Sequence, residues 1–336
     1  MNNKFFPSNF LFILIMILGT LLSLSSSHWL TMWMGLELNL MSFLPLMNIK
    51  GKMLEAEASM KYFIIQSMSS SVLIFASIML YVHNLTWYPM FNNTMNILIL
   101  MSLVLKLGGA PMHFWLPNIS KQMPWIILFL LLTWQKLAPL FMLSLMNSNF
   151  MLIMMISMLS TLMGSLMALN QTNLQMIITY SSISHLGWMM TMILFNNSLT
   201  LFYFINYIII SIPLLHMINS EMGNQLFMLT QKNNINNMII ISLILSLAGL
   251  PPLLGFMSKL IILISLINMK LFILSMFMML GTLISLYFYL NMSLMLMIKS
   301  YTMFKTNKNI KNYKLMISLN LMSSFIIYPI IIMFIN

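Results

Sequence analysis

The chain of 336 residues contains no cysteine, no aspartate and no arginine, and its acidic side chains number four. Without thiols there is no disulfide, no thiolate zinc site and no cysteine-held iron–sulfur cluster. The five histidines, His28, His83, His113, His185 and His216, are scattered, with no glutamate or second histidine at metal-ligand spacing, which argues against a metal site. Neither a Gly-rich phosphate loop nor a dinucleotide fingerprint occurs, so no cofactor is expected on this chain and any redox chemistry must belong to a partner. Charged residues make up 6% of the sequence, against about 25% in soluble proteins, which excludes an ordinary soluble domain. A nucleic-acid partner is excluded too, because the basic residues fall in short loops with no soluble domain to carry a groove.

What remains is apolar. Sixty per cent of the residues are hydrophobic and 43 are methionine, a side chain suited to flexible packing between helices. Methionine beside plentiful Ile, Asn, Lys, Phe and Leu, with arginine absent, also suggests A/T-rich codons in a code that reads ATA as Met, and hence mitochondrial encoding. The amino terminus has an apolar run but no small-residue cleavage site, so the first helix is expected to be retained.

With about 20 apolar residues per span, the sequence divides into about eleven helices of an all-α polytopic membrane protein. Their expected limits are 8–24, 28–47, 57–82, 95–118, 124–146, 149–169, 173–195, 198–219, 237–267, 271–298 and 315–335. The whole chain, 1–336, reads as a single transmembrane domain: leading helices over 8–94, a first half over 95–219 and a second over 237–335. Eleven spans put Lys4, Lys50, Lys52, Lys121, Lys232 and the run Lys299, Lys305, Lys308, Lys311, Lys314 on one side, leaving Lys270 on the other. That asymmetry places the amino terminus on the Lys-rich, inward side. The lysine fringe faces anionic lipid head groups.

Two spans carry matching interruptions. Lys106-Leu-Gly108-Gly109-Ala-Pro111 breaks one at 108–111, and Gly249-Leu-Pro251-Pro252 breaks the other at 249–252, with Lys259 two turns on. Pro111 has no N–H for the carbonyl of Leu107, so a loose carbonyl is expected beside Lys106; Pro139 does the same to Gln135, beside Lys136. Broken spans in two halves of a chain point to a repeat-built transporter with sites at the breaks. A kinked helix whose lysine snorkels to the surface is the plainer alternative for any one of them.

Glu37 lies in the run Trp33-Met-Gly-Leu-Glu37-Leu-Asn39-Leu, near mid-membrane, where a carboxylate costs about 2.5–3.5 kcal/mol and must face the bundle interior. Glu57 and Lys61 are four apart and can pair on one helix face, at an interfacial position. His185 follows Ser181 by four residues and Ser182 by three, so hydroxyls are expected along the imidazole; the histidine is either a proton relay or a satisfied interhelical contact. Within the membrane, Glu37 stands against three lysines, Lys106, Lys136 and Lys259. One carboxylate cannot pair with three ammonium groups. Burial disfavours the charged amine, so moving a carboxylate nearer or farther loads or releases a proton.

The runs Trp33-Met-Gly-Leu-Glu37-Leu-Asn39-Leu, Glu57-Ala-Ser-Met-Lys61-Tyr-Phe, Leu105-Lys106-Leu-Gly-Gly-Ala-Pro-Met-His113-Phe-Trp-Leu-Pro, Thr133-Trp-Gln-Lys136-Leu-Ala-Pro, Leu169-Asn-Gln-Thr, Tyr180-Ser-Ser-Ile-Ser-His185-Leu-Gly-Trp and Ala248-Gly-Leu-Pro-Pro-Leu-Leu-Gly-Phe resemble the antiporter-like family of membrane subunits in mitochondrial respiratory complex I, the subunit 2 branch in its animal form. The resemblance covers roughly residues 10–295 and implies two inverted five-helix repeats with broken helices. It implies a core membrane subunit of the proton-pumping NADH:ubiquinone oxidoreductase (EC 7.1.1.2) in the mitochondrial inner membrane, with the amino terminus facing the matrix. FMN, iron–sulfur clusters, NADH and ubiquinone would sit in partner subunits, and the other membrane subunits and lipids including cardiolipin would be its contacts. In that family Glu37 and Lys106 correspond to a coupling pair, Lys136 to a central proton carrier, His185 to a relay and Lys259 to the onward path. Many members have Leu-Pro-Lys before the distal lysine, whereas this chain reads Phe256-Met-Ser-Lys259, so the lysine alone carries over. A stand-alone cation/proton antiporter using the same lysines is the alternative; the absence of aspartate, a common sodium ligand, counts against it.

Overall fold

A computed structural model describes residues 7–49, 51–85, 90–146, 149–220, 234–251 and 253–303. Among these residues the chain forms thirteen helices and no strand. Contacts divide it into two compact units, Met1–Ile153 and Met154–Asn336. The first contains α1 (Pro7–Ser25), α2 (Trp29–Met47) and α3 (Met53–Leu85). A span broken into α4 (Met90–Leu107) and α5 (Trp115–Ser120) follows, then α6 (Trp125–Leu132) and α7 (Trp134–Leu145). The second unit takes most of α8 (Phe150–Ala168), then α9 (Leu174–Ile193) and α10 (Asn197–Ser220). A second broken span, α11 (Asn234–Ala248) and α12 (Leu254–Asn268), precedes α13 (Phe272–Met303). One order therefore occurs twice: three helices, a broken span, and a further helical span.

The chain is a multi-pass membrane protein. Among the described residues seven stretches are long and apolar enough to cross a bilayer: Ser8–Ser25, Trp29–Met47, Met53–Val82, Trp125–Leu145, Phe150–Ala168, Asn197–Asn219 and Phe272–Ile298. The expected spans 95–118 and 237–267 are each two shorter helices. The span expected over 124–146 is divided as well, at Thr133, whose N–H and hydroxyl both donate to the carbonyl of Phe129, at 3.0 and 2.7 Å. Hydroxyl back-bonding of this kind bends helices, and here the N–H of Lys136 turns to Thr133 O at 3.2 Å, one residue short of the α-helical bond. The expected eleventh helix, 315–335, lies outside the described residues, as do Lys4, Lys50, Lys232, Lys305, Lys308, Lys311 and Lys314. Lys52, Lys121 and Lys270, the described loop lysines, are exposed.

Helix α9 shows why hydropathy alone understates the helical core. It carries serines, threonines and a histidine, yet 177–192 are buried without exception, because α10, α12 and α13 pack around it and α8 closes against it. The serine and threonine hydroxyls donate to carbonyls three residues back in their own helix, among them Ser181 to Ile178 at 2.8 Å and Ser182 to Thr179 at 2.7 Å. Polar groups satisfied within the helix can then be buried at little cost.

Membrane helices gain little from burying apolar surface against lipid, so close backbone packing matters more. Each unit places glycine where this happens. A β-carbon on Gly35 of α2 would stand 2.7 Å from the Gly19 carbonyl and the Ser23 nitrogen of α1. One on Gly164 of α8 would stand 2.7 Å from the Ser184 nitrogen and 2.8 Å from the Tyr180 carbonyl of α9. Nothing in either contact can give way, since the facing atoms are backbone. Replacing Gly35 or Gly164 with leucine is expected to force its helix pair apart and to destabilise the chain by about 1–3 kcal/mol each, the usual penalty of overpacking. Thermal unfolding of the detergent-solubilised variants measures this, as a lowered midpoint.

Candidate functional site

Lys106 lies in the last turn of α4. The helix stops one residue later because Gly108 adopts φ +74°, a left-handed conformation that costs glycine nothing. The N–H of Gly109 returns to Val104 O at 3.0 Å and that of Gly108 to Leu105 O at 3.2 Å, the two bonds of a Schellman cap. Helix α4 has thus ended before Pro111 is reached, and the expectation that Pro111 frees the carbonyl of Leu107 is corrected: glycine makes the break. The carbonyls around the lysine are taken up by side chains. The Trp115 indole Nε1 donates to Leu105 O at 3.1 Å, and the Gln66 amide donates to Lys106 O at 3.3 Å.

The Lys106 side chain is 7% exposed and faces a cavity of about 20 Å³, room for one water molecule. Asn39 and Leu40 of α2, Tyr62 and Gln66 of α3, and Gln135 and Pro139 of α7 are among its walls. Asn39 and Gln135 are joined by a reciprocal amide pair, Asn39 Nδ2 to Gln135 Oε1 at 2.9 Å and Gln135 Nε2 to Asn39 Oδ1 at 3.0 Å. The Tyr62 hydroxyl adds a longer bond to Gln135 Oε1 at 3.4 Å. Lys136, next to Gln135 on α7, is 2% exposed. Glu37, half-buried on α2, acts on Lys106 electrostatically without closing a contact ion pair among the described residues. The first unit therefore holds Glu37, Lys106 and Lys136 on three elements, α2, α4 and α7, that line one cavity.

The second unit holds His185 and Lys259. Ser181 and Ser182 donate to carbonyls of their own helix, and the fold also brings the Tyr203 hydroxyl of α10 to the imidazole, 2.7 Å from Nδ1. The Tyr207 ring packs with its centroid 5.3 Å from the imidazole. Lys259 is 7% exposed and bends back from α12 onto the end of α11, donating to Ala248 O at 2.8 Å and Leu247 O at 3.3 Å. Helix α11 closes as α4 does: Gly249 has φ +84°, its N–H reaches Ser246 O at 3.2 Å, and Leu250 N–H reaches Leu245 O at 3.3 Å. A β-carbon on Gly249 would lie 3.0 Å from the Lys259 amine.

Glu57 and Lys61 form their ion pair at a half-exposed position, and Gln122, in the turn after α5, donates to the second carboxylate oxygen at 3.2 Å. That contact ties a turn to α3. His113 is buried in the first break, its Nδ1 3.2 Å from Pro111 O. No group of three His, Cys, Asp or Glu side chains among the described residues could hold a metal ion. Sequence reasoning passed over Asn39, Tyr62, Gln66, Gln135 and Tyr203. The signal for Asn39 and Gln135 was present, a carboxamide within two residues of an intramembrane charge, whereas nothing in the spacing of Tyr203 tied it to His185.

The sequence family described as NADH:quinone oxidoreductase/Mrp antiporter, transmembrane, matches residues 26–285. NADH-ubiquinone oxidoreductase chain 2 of Anopheles gambiae is 43% identical over 331 residues, 95% of this chain and 94% of its own length. The chain 2 proteins of Locusta migratoria and Bos taurus are 36% and 38% identical, over 93% and 91% of this chain and 92% and 89% of theirs. Among solved structures, a chain of respiratory complex I from Thermus thermophilus superposes with TM-score 0.82 at 21% identity, over 98% of this chain and 79% of that one. A chain of the Mrp complex from Dietzia shares the fold at TM-score 0.74 and 16% identity, over 89% of this chain and 61% of that one. By sequence over nearly its full length, the chain belongs to the NADH-ubiquinone oxidoreductase chain 2 family of NADH:quinone oxidoreductase/Mrp antiporter membrane proteins.

Proposed function

We propose that the chain translocates protons across the mitochondrial inner membrane as a core subunit of NADH:ubiquinone oxidoreductase (EC 7.1.1.2), with its amino terminus on the matrix side. The observation that carries this is the burial of three lysines on membrane helices, Lys106, Lys136 and Lys259, at 7% exposure or less, each within a few residues of a helix break or interruption. Intramembrane amines of this kind mark ion and proton pathways. Glu37, Lys106 and Lys136 are the proton-handling groups of the first unit, and His185 and Lys259 those of the second. The chain carries no redox centre of its own; FMN, iron–sulfur clusters, NADH and ubiquinone belong to partner subunits. Its neighbours are the other membrane subunits and lipids, cardiolipin among them, at the lysine fringe.

The work done by this chain is electrostatic. A buried amine holds a proton only while its surroundings offset the cost of the charge. For Lys106 those surroundings are the Glu37 carboxylate, the negative end of α4 and a cavity with room for water. A shift of α2 that brings Glu37 closer loads Lys106, and a shift away releases the proton toward the next base. Partner subunits need only move Glu37 by a small distance, because Coulomb energy in a poorly hydrated interior changes steeply with separation.

Lys136→Met is expected to lower proton-coupled NADH:ubiquinone turnover of the assembled enzyme by at least about tenfold, the low side of losing a positioned proton carrier. NADH oxidation by an artificial acceptor, which bypasses the membrane arm, is expected to stay at the parent rate; normal pumping by this variant would overturn the assignment. Glu37→Gln keeps the shape and removes the charge. It is expected to cut protons moved per NADH, measured in proteoliposomes, while Glu37→Asp retains part of the coupling.

A further inference from the structure

The carboxamides of Asn39 and Gln135 line the cavity beside Lys106 and join α2 to α7, the helix that carries Lys136. Gln135 precedes Lys136 on α7 and, with Pro139, lines the cavity that Lys106 also lines. Asn39 follows Glu37 by two residues on α2 and lines the same cavity. Their two reciprocal bonds, 2.9 and 3.0 Å long, therefore fasten the helix of the acid to the helix of the second lysine at the edge of the space beside the first. Water, hydroxyl and imidazole groups pass protons along because one atom, or one conjugated ring, both accepts and donates. A carboxamide donates from nitrogen and accepts at oxygen, and relaying a proton through it requires a high-energy imidic tautomer. Two carboxamides closed on each other each spend an N–H and a lone pair on the partner and carry no rotating hydroxyl of their own.

We propose that the Asn39–Gln135 pair is a proton latch, a positioning pair that insulates the Lys106 cavity from Lys136 while closed and opens it when α2 moves relative to α7. In the open state the amides turn to the water that the cavity can hold. The Lys106 ammonium gives one proton to that water, the water gives one of its own onward to the neutral Lys136 amine, and the water is regained, so charge and protons balance. The Tyr62 hydroxyl, 3.4 Å from Gln135 Oε1, is placed to take the bond that Asn39 gives up. The same displacement of α2 that repositions Glu37 thereby opens the route, so that charging and opening coincide.

This inference rests on the proton-carrying role of the lysines, and the experiment separates the two. The assembled enzyme in proteoliposomes is given an imposed pH gradient with NADH withheld, and decay of the gradient is followed; protons moved per NADH are then measured on the same vesicles. Asn39→Ala and Gln135→Ala are each expected to accelerate the passive decay about tenfold, as the loss of two hydrogen bonds shifts the closed–open balance, and to lower protons per NADH. The exchanged pair, Asn39→Gln with Gln135→Asn, rebuilds the reciprocal bond and is expected to restore both readouts. Unchanged leak in both single variants, or loss of turnover without leak, overturns the latch. Lys136→Met in the same vesicles is the reference. If it is inactive while Asn39→Ala stays tight and coupled, the latch alone fails; if it pumps normally, the carrier assignment fails with it.

Discussion

Inside a bilayer the peptide group has no water to turn to, so every helix that stops there must find partners for its last carbonyls within the protein. This chain stops two helices in that way, α4 at Leu107 and α11 at Ala248, and both use one solution. A glycine in the left-handed conformation, Gly108 or Gly249, returns its N–H and that of the next residue to carbonyls of the final turn. Any other residue would carry a β-carbon into a region that L side chains avoid. The cap leaves further carbonyls open, and side chains are recruited to them: Gln66 to Lys106 O at the first break, Lys259 to Leu247 O and Ala248 O at the second. The placement of Lys259 is in this sense a consequence of how its broken helix is closed.

The two lysines use the helix ends differently. Lys106 belongs to the helix that ends, sits in its last turn and sends its side chain into a cavity. Lys259 belongs to the helix that begins and points back at the carbonyls of the one that ended. Both positions exploit the negative end of a helix dipole, which favours a cation. Among the described residues, a carboxylate acts on the first alone, from Glu37. An amine whose charge is offset by fixed backbone carbonyls has a steady environment, whereas one whose charge is offset by a side chain on a separate helix responds when that helix shifts. In the proposed mechanism, control by partner subunits therefore enters at Lys106.

Much of this was legible in the chain. The echo of Gly109-Ala-Pro111 in Gly249-Leu-Pro251 located both broken spans, and apolar length located the helices around them. Assigning the first break to Pro111 was the wrong physical cause, because Gly108 ends α4 before the proline can act. The interruption at Thr133 was not legible: threonine is tolerated inside membrane helices, and its bent geometry depends on back-bonding to Phe129. The tyrosine partner of His185 was hidden for another reason. Ser181 and Ser182 share a helix with His185 and can be read from spacing, whereas Tyr203 comes from α10 and only the fold brings it near. Local spacing names neighbours on one helix; packing supplies those from another.

The polar groups of the two units differ in what they can do with a proton. In the second unit His185 is bonded to the hydroxyl of Tyr203, with Tyr207 against the ring, and these are groups through which a proton can be handed on. In the first unit the two side chains that bond α2 to α7 directly are carboxamides, which hold position and do not relay. An insulating pair is useful only where passage must be timed, and a relaying pair only where it need not be. The proposed timing element thus lies in the unit that also holds Glu37, the carboxylate that acts on Lys106. In that proposal charge and gate share α2, so one motion of one helix is enough to work both.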